Sequence, residues 1–258
     1  MNAAVLEPLA ARYTWWQGLP AAATSDTSNE DPAEVRAMPV ILRIERADPP
    51  TRTPLLEAAA AAAVAVCLDP RAEPEGEWHE SVMAWLDGRI RKVARRARGA
   101  HWQAVQELPG ITSTVDGASV RALVPCRVVD TPKEVTRLQI SGSEIPDDVP
   151  TSAPPGVPIL WLNPTIEITA GKAAAQVGHA SMLLAALLHA SGADEVLTDW
   201  STVDYRCAVR TPSLTEWRKL HPGDDAANAW RARRVVAVRD AGFTEVDPGT
   251  VTVLAQLP

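Results

Sequence analysis

Two short apolar strands, each followed by an Ala-rich helix, constrain this chain more than anything else in it. PVILRIE (Pro39–Glu45) precedes LLEAAAAAAVAVCL (Leu55–Leu68), and VPILWLN (Val157–Asn163) precedes ITAGKAAAQVGHASMLLAALL (Ile168–Leu188). Helices this rich in Ala form readily and can lie very close to whatever they pack on. After each helix comes a Trp-containing segment, ARRARGAHWQAVQELPG in the first half and AVRTPSLTEWRKLHPG in the second. Each half then ends in a paired pattern, SVRALVPCRVVDTPKEVTRLQI and VVAVRDAGFTEVDPGTVTVLAQL, in which the alternation of EVTRLQI and TVTVLAQL is strand-like. Both halves therefore read strand, helix, strand, helix, strand, strand. That order predicts an α/β chain built of two similar small units.

SGSEIPDDVPTSAPPG (Ser141–Gly156) is polar and rich in Pro, Gly and Ser, and reads as a linker. AAATSDTSNEDPAE (Ala21–Glu34) has the same character. The expected organisation is an N-terminal extension over 1–37, partly loop or disordered, a first unit over 38–140, the linker over 141–156, and a second unit over 157–258. Each unit has an ordinary small-domain size.

Charge and cysteine content narrow the classes of function. The 258 residues carry a net charge of -7, which argues against a dedicated basic nucleic-acid binder but leaves room for a local basic site. GRIRKVARRARGAHW supplies one, with Arg89, Arg91, Lys92, Arg95, Arg96 and Arg98 and no acid among them. It reads either as a solvated strand face or as an RNA-phosphate contact. Cys67, Cys126 and Cys207 form neither a disulfide framework nor a zinc spacing, so a reducing, cytoplasmic setting is expected. MNAAVLEPLAARYTWWQG lacks the pattern of a signal peptide, and no apolar run has the length expected of a membrane span. There is no Walker motif and no HExxH, and Ser181 lacks a nucleophile-elbow context.

The second Ala-rich helix carries Lys172, Gln176 and His179 at spacings that put all three on one face. Aligning the two opening strands puts Pro54, Ala58 and Ala61 at those positions in the first unit, so packing alone does not require the polar set. Gly171 and Lys172 open the helix, where unpaired N–H groups and the dipole favour an anion. Farther on, Val235–Val238 form a short strand that ends at Arg239-Asp240, with Gly242 in the turn and Thr244 beyond it. Acids at strand ends are where α/β folds gather active-site groups.

GKAAAQVGHAS and DAGFTEVDPGTVTVLAQLP together resemble two motifs of the type II, archaeal and eukaryotic, peptidyl-tRNA hydrolase family: Gly-Lys-x-Ala-Ala-Gln-Cys-x-His-Ala, and Asp-Ala-Gly-Arg-Thr-x-x-x-x-Gly-x-x-Thr-Val-Leu. Their order and separation agree, and the resemblance covers Pro158–Pro258. It implies an α/β domain with a mixed four-stranded sheet flanked by helices. It also implies metal-free hydrolysis, with no cofactor, of the ester joining peptide to tRNA. The family's functional residues fall on Lys172, Gln176, His179, Asp240 and Thr244. The expected roles are water orientation by Asp240, proton carriage by His179, and oxyanion or phosphate binding by Lys172 with the helix N–H groups at Gly171. Gln176, Gly242 and Thr244 would position the substrate.

Three positions depart from the pattern: Ala170 and Phe243 stand where the family has cations, and Val177 where it has Cys. Arg206, Arg210, Arg239 or the basic run of the first unit are the candidates to compensate, with Arg95, Arg96 and Arg98 along the tRNA acceptor stem. The first unit reads as a degenerate copy docked on the second, giving a monomer with an internal pseudo-dimer, a homodimer being the other arrangement open to it. The partner implied is peptidyl-tRNA, with no membrane. Two further readings stay open: a catalytically impaired relic that binds tRNA or protein, and a hydrolase of another ester or amide.

Overall fold

Residues 3–140, 142, 145–150, 152 and 154–258 are described by a computed structural model. Met1 and Asn2 of the expected extension, and Ser141, Ser143, Glu144, Thr151 and Ala153 of the expected linker, lie outside them. The N-terminal segment carries helices α1 (Glu7–Gly18) and α2 (Ala21–Thr24). The first unit follows as β1 (Arg36–Arg43), α3 (Arg52–Leu68), α4 (His79–Leu86), β2 (Arg91–Ala97), α5 (Gly99–Gln106), β3 (Gly110–Val115), β4 (Ala118–Leu123), β5 (Cys126–Arg127) and α6 (Lys133–Thr136). The second comprises β6 (Ile159–Leu162), α7 (Ala170–Ala190), α8 (Asp194–Thr202), β7 (Ala208–Arg210), α9 (Leu214–Leu220), α10 (Ala226–Arg233), β8 (Val235–Arg239) and β9 (Val251–Gln256).

The two sheets have one topology. The first runs β2-β1-β4-β3 with β5 added on β1, and the second runs β7-β6-β9-β8. In both, the opening strand pairs parallel with the next strand and antiparallel with the last. In both, the closing pair is antiparallel. The chain is thus mixed α/β with two mixed sheets flanked by helices. The helix after each opening strand starts behind a Thr N-cap, Thr51 for α3 and Thr169 for α7. At α7 the Thr169 hydroxyl accepts from the Lys172 N–H.

One strand expectation fails. EVTRLQI is not a closing strand: Pro132 introduces the helical turn α6, and Gln139 makes only an isolated bridge to Arg96. The closing hairpin lies earlier, GITSTV on ASVRAL, joined at Asp116-Gly117. Both turn residues have positive φ, 46° and 85°, the two-residue turn whose twist suits adjoining strands.

The α3 and α7 helices cross at the centre and share a single apolar core with the inner faces of both sheets. Their contact is reciprocal. The Ser181 hydroxyl donates to the Ala60 carbonyl at 2.7 Å, while a Cβ on Gly178 would stand 3.0 Å from the Ala63 Cβ. Under the strand alignment Ala60 matches Gly178 and Ala63 matches Ser181, so each residue touches the counterpart of its partner's equivalent. The two contacts are thus exchanged by the strand alignment. The outer face of the first sheet is closed by Trp102 and Val105 of α5 with Val135 and Leu138, and that of the second by Trp217 of α9. Among the described residues α7 is long and apolar enough to cross a membrane, against the expectation that no apolar run has that length; here it is the buried core helix.

The extension docks on the open edge of the second sheet. Tyr13 Oη accepts from Ala237 N–H at 2.8 Å, Gln17 Nε2 donates to Ala237 O at 2.8 Å, and Trp16 Nε1 donates to Arg239 O at 2.9 Å. Helix α1 thereby satisfies edge groups of β8 that would otherwise be open to pairing. The residues between the units also bond inward. Asp148 Oδ1 accepts from Thr53 N–H and its hydroxyl, at 2.9 and 2.8 Å, at the start of α3.

Candidate active site

The polar face of α7 meets the end of β8. Asp240 follows β8 directly, and its carboxylate is only 9% exposed. Lys172 Nζ donates to Asp240 Oδ2 at 2.8 Å and to Thr244 Oγ1 at 3.2 Å. Gln176, buried one turn along the same helix face, donates through Nε2 to the same Oδ2 at 2.7 Å. The Gly242 N–H donates to Oδ1 at 2.8 Å. Gln176 is fixed in turn, because Thr252 of β9 donates its hydroxyl to Oε1 at 2.6 Å. Hydrogen bonds to both of its oxygens hold the Asp240 carboxylate in one orientation.

The turn that carries these groups needs glycine. Gly242 has φ 80°, and a Cβ there would stand 2.4 Å from the Pro248 nitrogen. Glu245 reaches back to Thr169, accepting from its N–H at 2.8 Å and from its hydroxyl at 2.9 Å. The Asp240 loop is therefore tied to the first turn of α7. Beside it opens a groove of about 500 Å³ lined by Ile166, Glu167, the residues from Gly242 to Asp247, and Thr250.

Lys172, Gln176, Asp240, Gly242 and Thr244 are thus brought together. His179 shares the helix face, but it meets Lys92 of the first unit, whose Nζ lies 3.0 Å from Nδ1. Burial, with Lys92 and Lys172 near, holds the imidazole well below its usual pKa, so the ring is neutral at neutral pH. At the helix start the Lys172 N–H is already taken by the Thr169 hydroxyl, so that amide is not open to an anion. Among the described residues no grouping of His, Cys and acids would hold a metal.

Residues 157–258 match the family model for peptidyl-tRNA hydrolase PTH2. No curated protein and no solved structure matched the chain. The PTH2 match begins just before β6 and takes in every group of the Lys172–Asp240 network.

Most of the proposed compensating cations have internal duties. Arg206 and Arg210 pair with Glu57 of α3, Arg206 with Asp116 as well. Arg239 donates to Trp16 O and Gln17 O. Arg95 donates to Leu138 O and Arg96 to Gln139 and Gly142, tying β2 to the residues behind α6, while Arg98 is exposed. The cations of the basic run that reach the second unit are at its other end. The Arg91 and Arg89 guanidiniums lie 5.2 and 5.9 Å from the Phe243 ring, both paired with Glu30. Thr252, Lys92 and this Phe243 contact were missed from the sequence. Thr252 reads there as an ordinary β-branched strand residue, and contacts between the units leave no local pattern.

Proposed function

We propose that the second unit hydrolyses the ester between peptide and tRNA. The observation that carries this reading is the Lys172–Asp240–Gln176–Thr244 network beside an open groove, together with the match to the PTH2 family. An ester hydrolase needs an oriented water and a cation or donor aimed at the developing oxyanion. An ammonium has three protons. Lys172 gives one to Asp240 and one to Thr244, which leaves one for the oxyanion or for a phosphate of the tRNA end. Asp240 Oδ1 accepts a single backbone N–H and keeps a lone pair to hold the attacking water. Thr244 accepts from Lys172, so its own hydroxyl proton is available to the substrate. Gln176, held by Thr252, keeps the carboxylate from rotating. His179 is assigned a donor's role, because an imidazole held neutral beside an ammonium is a poor proton acceptor.

The test is release of the acyl group from purified N-acetylaminoacyl-tRNA by the full-length chain. Turnover is expected, with Lys172→Ala slower by roughly a hundred- to a thousand-fold, the usual cost of losing an oxyanion donor. Release no faster than in buffer, or equal release by the variant, overturns the reading.

A further inference from the structure

A side chain of the first unit, that of Lys92, reaches the polar face of α7. Lys92 leaves β2 beside α7, and its stem crosses Gly178: a Cβ there would stand 3.1 Å from the Lys92 Cε and 3.3 Å from the Cδ. The absence of a side chain at Gly178 is thus what lets Lys92 reach the next residue. Its Nζ stops 3.0 Å from His179 Nδ1 and 5.0 Å from the Trp85 ring centre. His179 in turn lies one turn beyond Gln176, on the face that carries Lys172. Among the described residues no carboxylate stands within ion-pair distance of Lys92, so the ammonium is not there to neutralise an acid.

We propose that Lys92 is a positioning residue, contributed by the first unit, that donates to His179 Nδ1 and so fixes the ring proton on Nε2. An ammonium is a donor only, so the nitrogen it meets must accept, and a neutral imidazole then carries its hydrogen on the other nitrogen. His179 is thereby made a one-sided donor on the site's helix face, and the site is a product of both units. The inference rests on the reading of that face as the active site, but its central readout does not.

The charged and titratable groups around the pair are few. His179 faces Lys92 from α7, with Lys172 near the ring on the same helix, Cys67 faces Lys92 from α3, and the neighbouring Arg91 on β2 is turned to Glu30. Burial brings Lys92 down to about 7, and the Cys67 thiol, pushed up to about 12 by its own burial, supplies no counter-charge at neutral pH. Below that point Lys92 can only donate. Above it the amine can also accept, and the constraint on the ring relaxes.

The experiment is nitrogen NMR of the full-length, His-labelled protein, with the His179 signals assigned by their loss in His179→Gln. At pH 6 the ring should show the Nε2–H tautomer alone. Raising the pH through about 7 should add the Nδ1–H form, and Lys92→Met should give the mixture of a free imidazole at every pH. If Lys92→Met does not fold, the pH series on the unaltered chain decides. An Nδ1–H ring at pH 6, a tautomer indifferent to pH through that range, or one unchanged in a folded Lys92→Met, overturns the proposal. With acyl-tRNA hydrolysis as a second readout, Lys92→Met should lower kcat and leave KM in place. A chain that hydrolyses nothing but shows the Nε2–H tautomer refutes the function and leaves the positioning intact.

Discussion

Lys92 is also a liability for the fold. Burial without a counter-charge disfavours its charged form, so its folded pKa lies near 7, against the usual 10.5 in the unfolded chain. Between those values the unfolded chain binds more protons, and stability is lost as pH falls from about 10.5 to about 7. Lys92→Met removes that term. Its melting temperature should exceed the parent's at pH 6 to 7, and the two should converge towards pH 10.5. Each ~1 kcal/mol of difference would appear as about 2–4 °C in a chain of this size. Equal melting temperatures at pH 6, or a gain that grows with pH, contradict this account. His179 acts in the same direction at lower pH, because its depressed folded pKa costs stability as pH falls below about 6.5.

Among the elements, the α3–α7 crossing decides how the units are held. Its contact is made by Gly178, Ser181, Ala60 and Ala63, so there is no slack at the crossing for a larger side chain. Ala60→Leu should destabilise by about 1–3 kcal/mol, the usual cost of overpacking, measured as a lower denaturant midpoint at unchanged slope. An unchanged midpoint means that the crossing is looser than described. Legibility was uneven at this scale. Apolar strands feeding Ala-rich helices were readable because their composition and period are local properties of the chain. EVTRLQI was misread because its alternation is matched by Pro132 ahead of it, a helix opener, and the Asp116-Gly117 turn was the better hairpin signal. The edge-sealing role of α1 has no local signature: Tyr13, Trp16 and Gln17 find their partners more than two hundred residues away.

Taken as a whole, the molecule is two sheets of one topology around one pair of packed helices, with the Lys172–Asp240 network gathered at one of them. We read that shared topology, with the reciprocal Ala60, Ala63, Gly178 and Ser181 contacts, as a duplication in which the first unit has become a built-in partner. The first unit has a Thr at the N-cap position and the Ala-rich helix, but Pro54, Ala58 and Ala61 at the positions of Lys172, Gln176 and His179. The central site was legible for the same reason that it is rigid: its side chains are fixed by helix spacing and by one strand end. What the sequence did not reveal is which cations approach it, because Arg89, Arg91 and Lys92 arrive across the interface between units. The claim on which this account stands is that Lys172 and Asp240 act as one unit. A double-mutant cycle on acyl-tRNA hydrolysis, with Lys172→Ala, Asp240→Asn and the pair, measures it directly. Groups that act together are strongly non-additive, so the double variant should be about as slow as the worse single one. Losses that multiply would mean that the two residues act independently, and would contradict it.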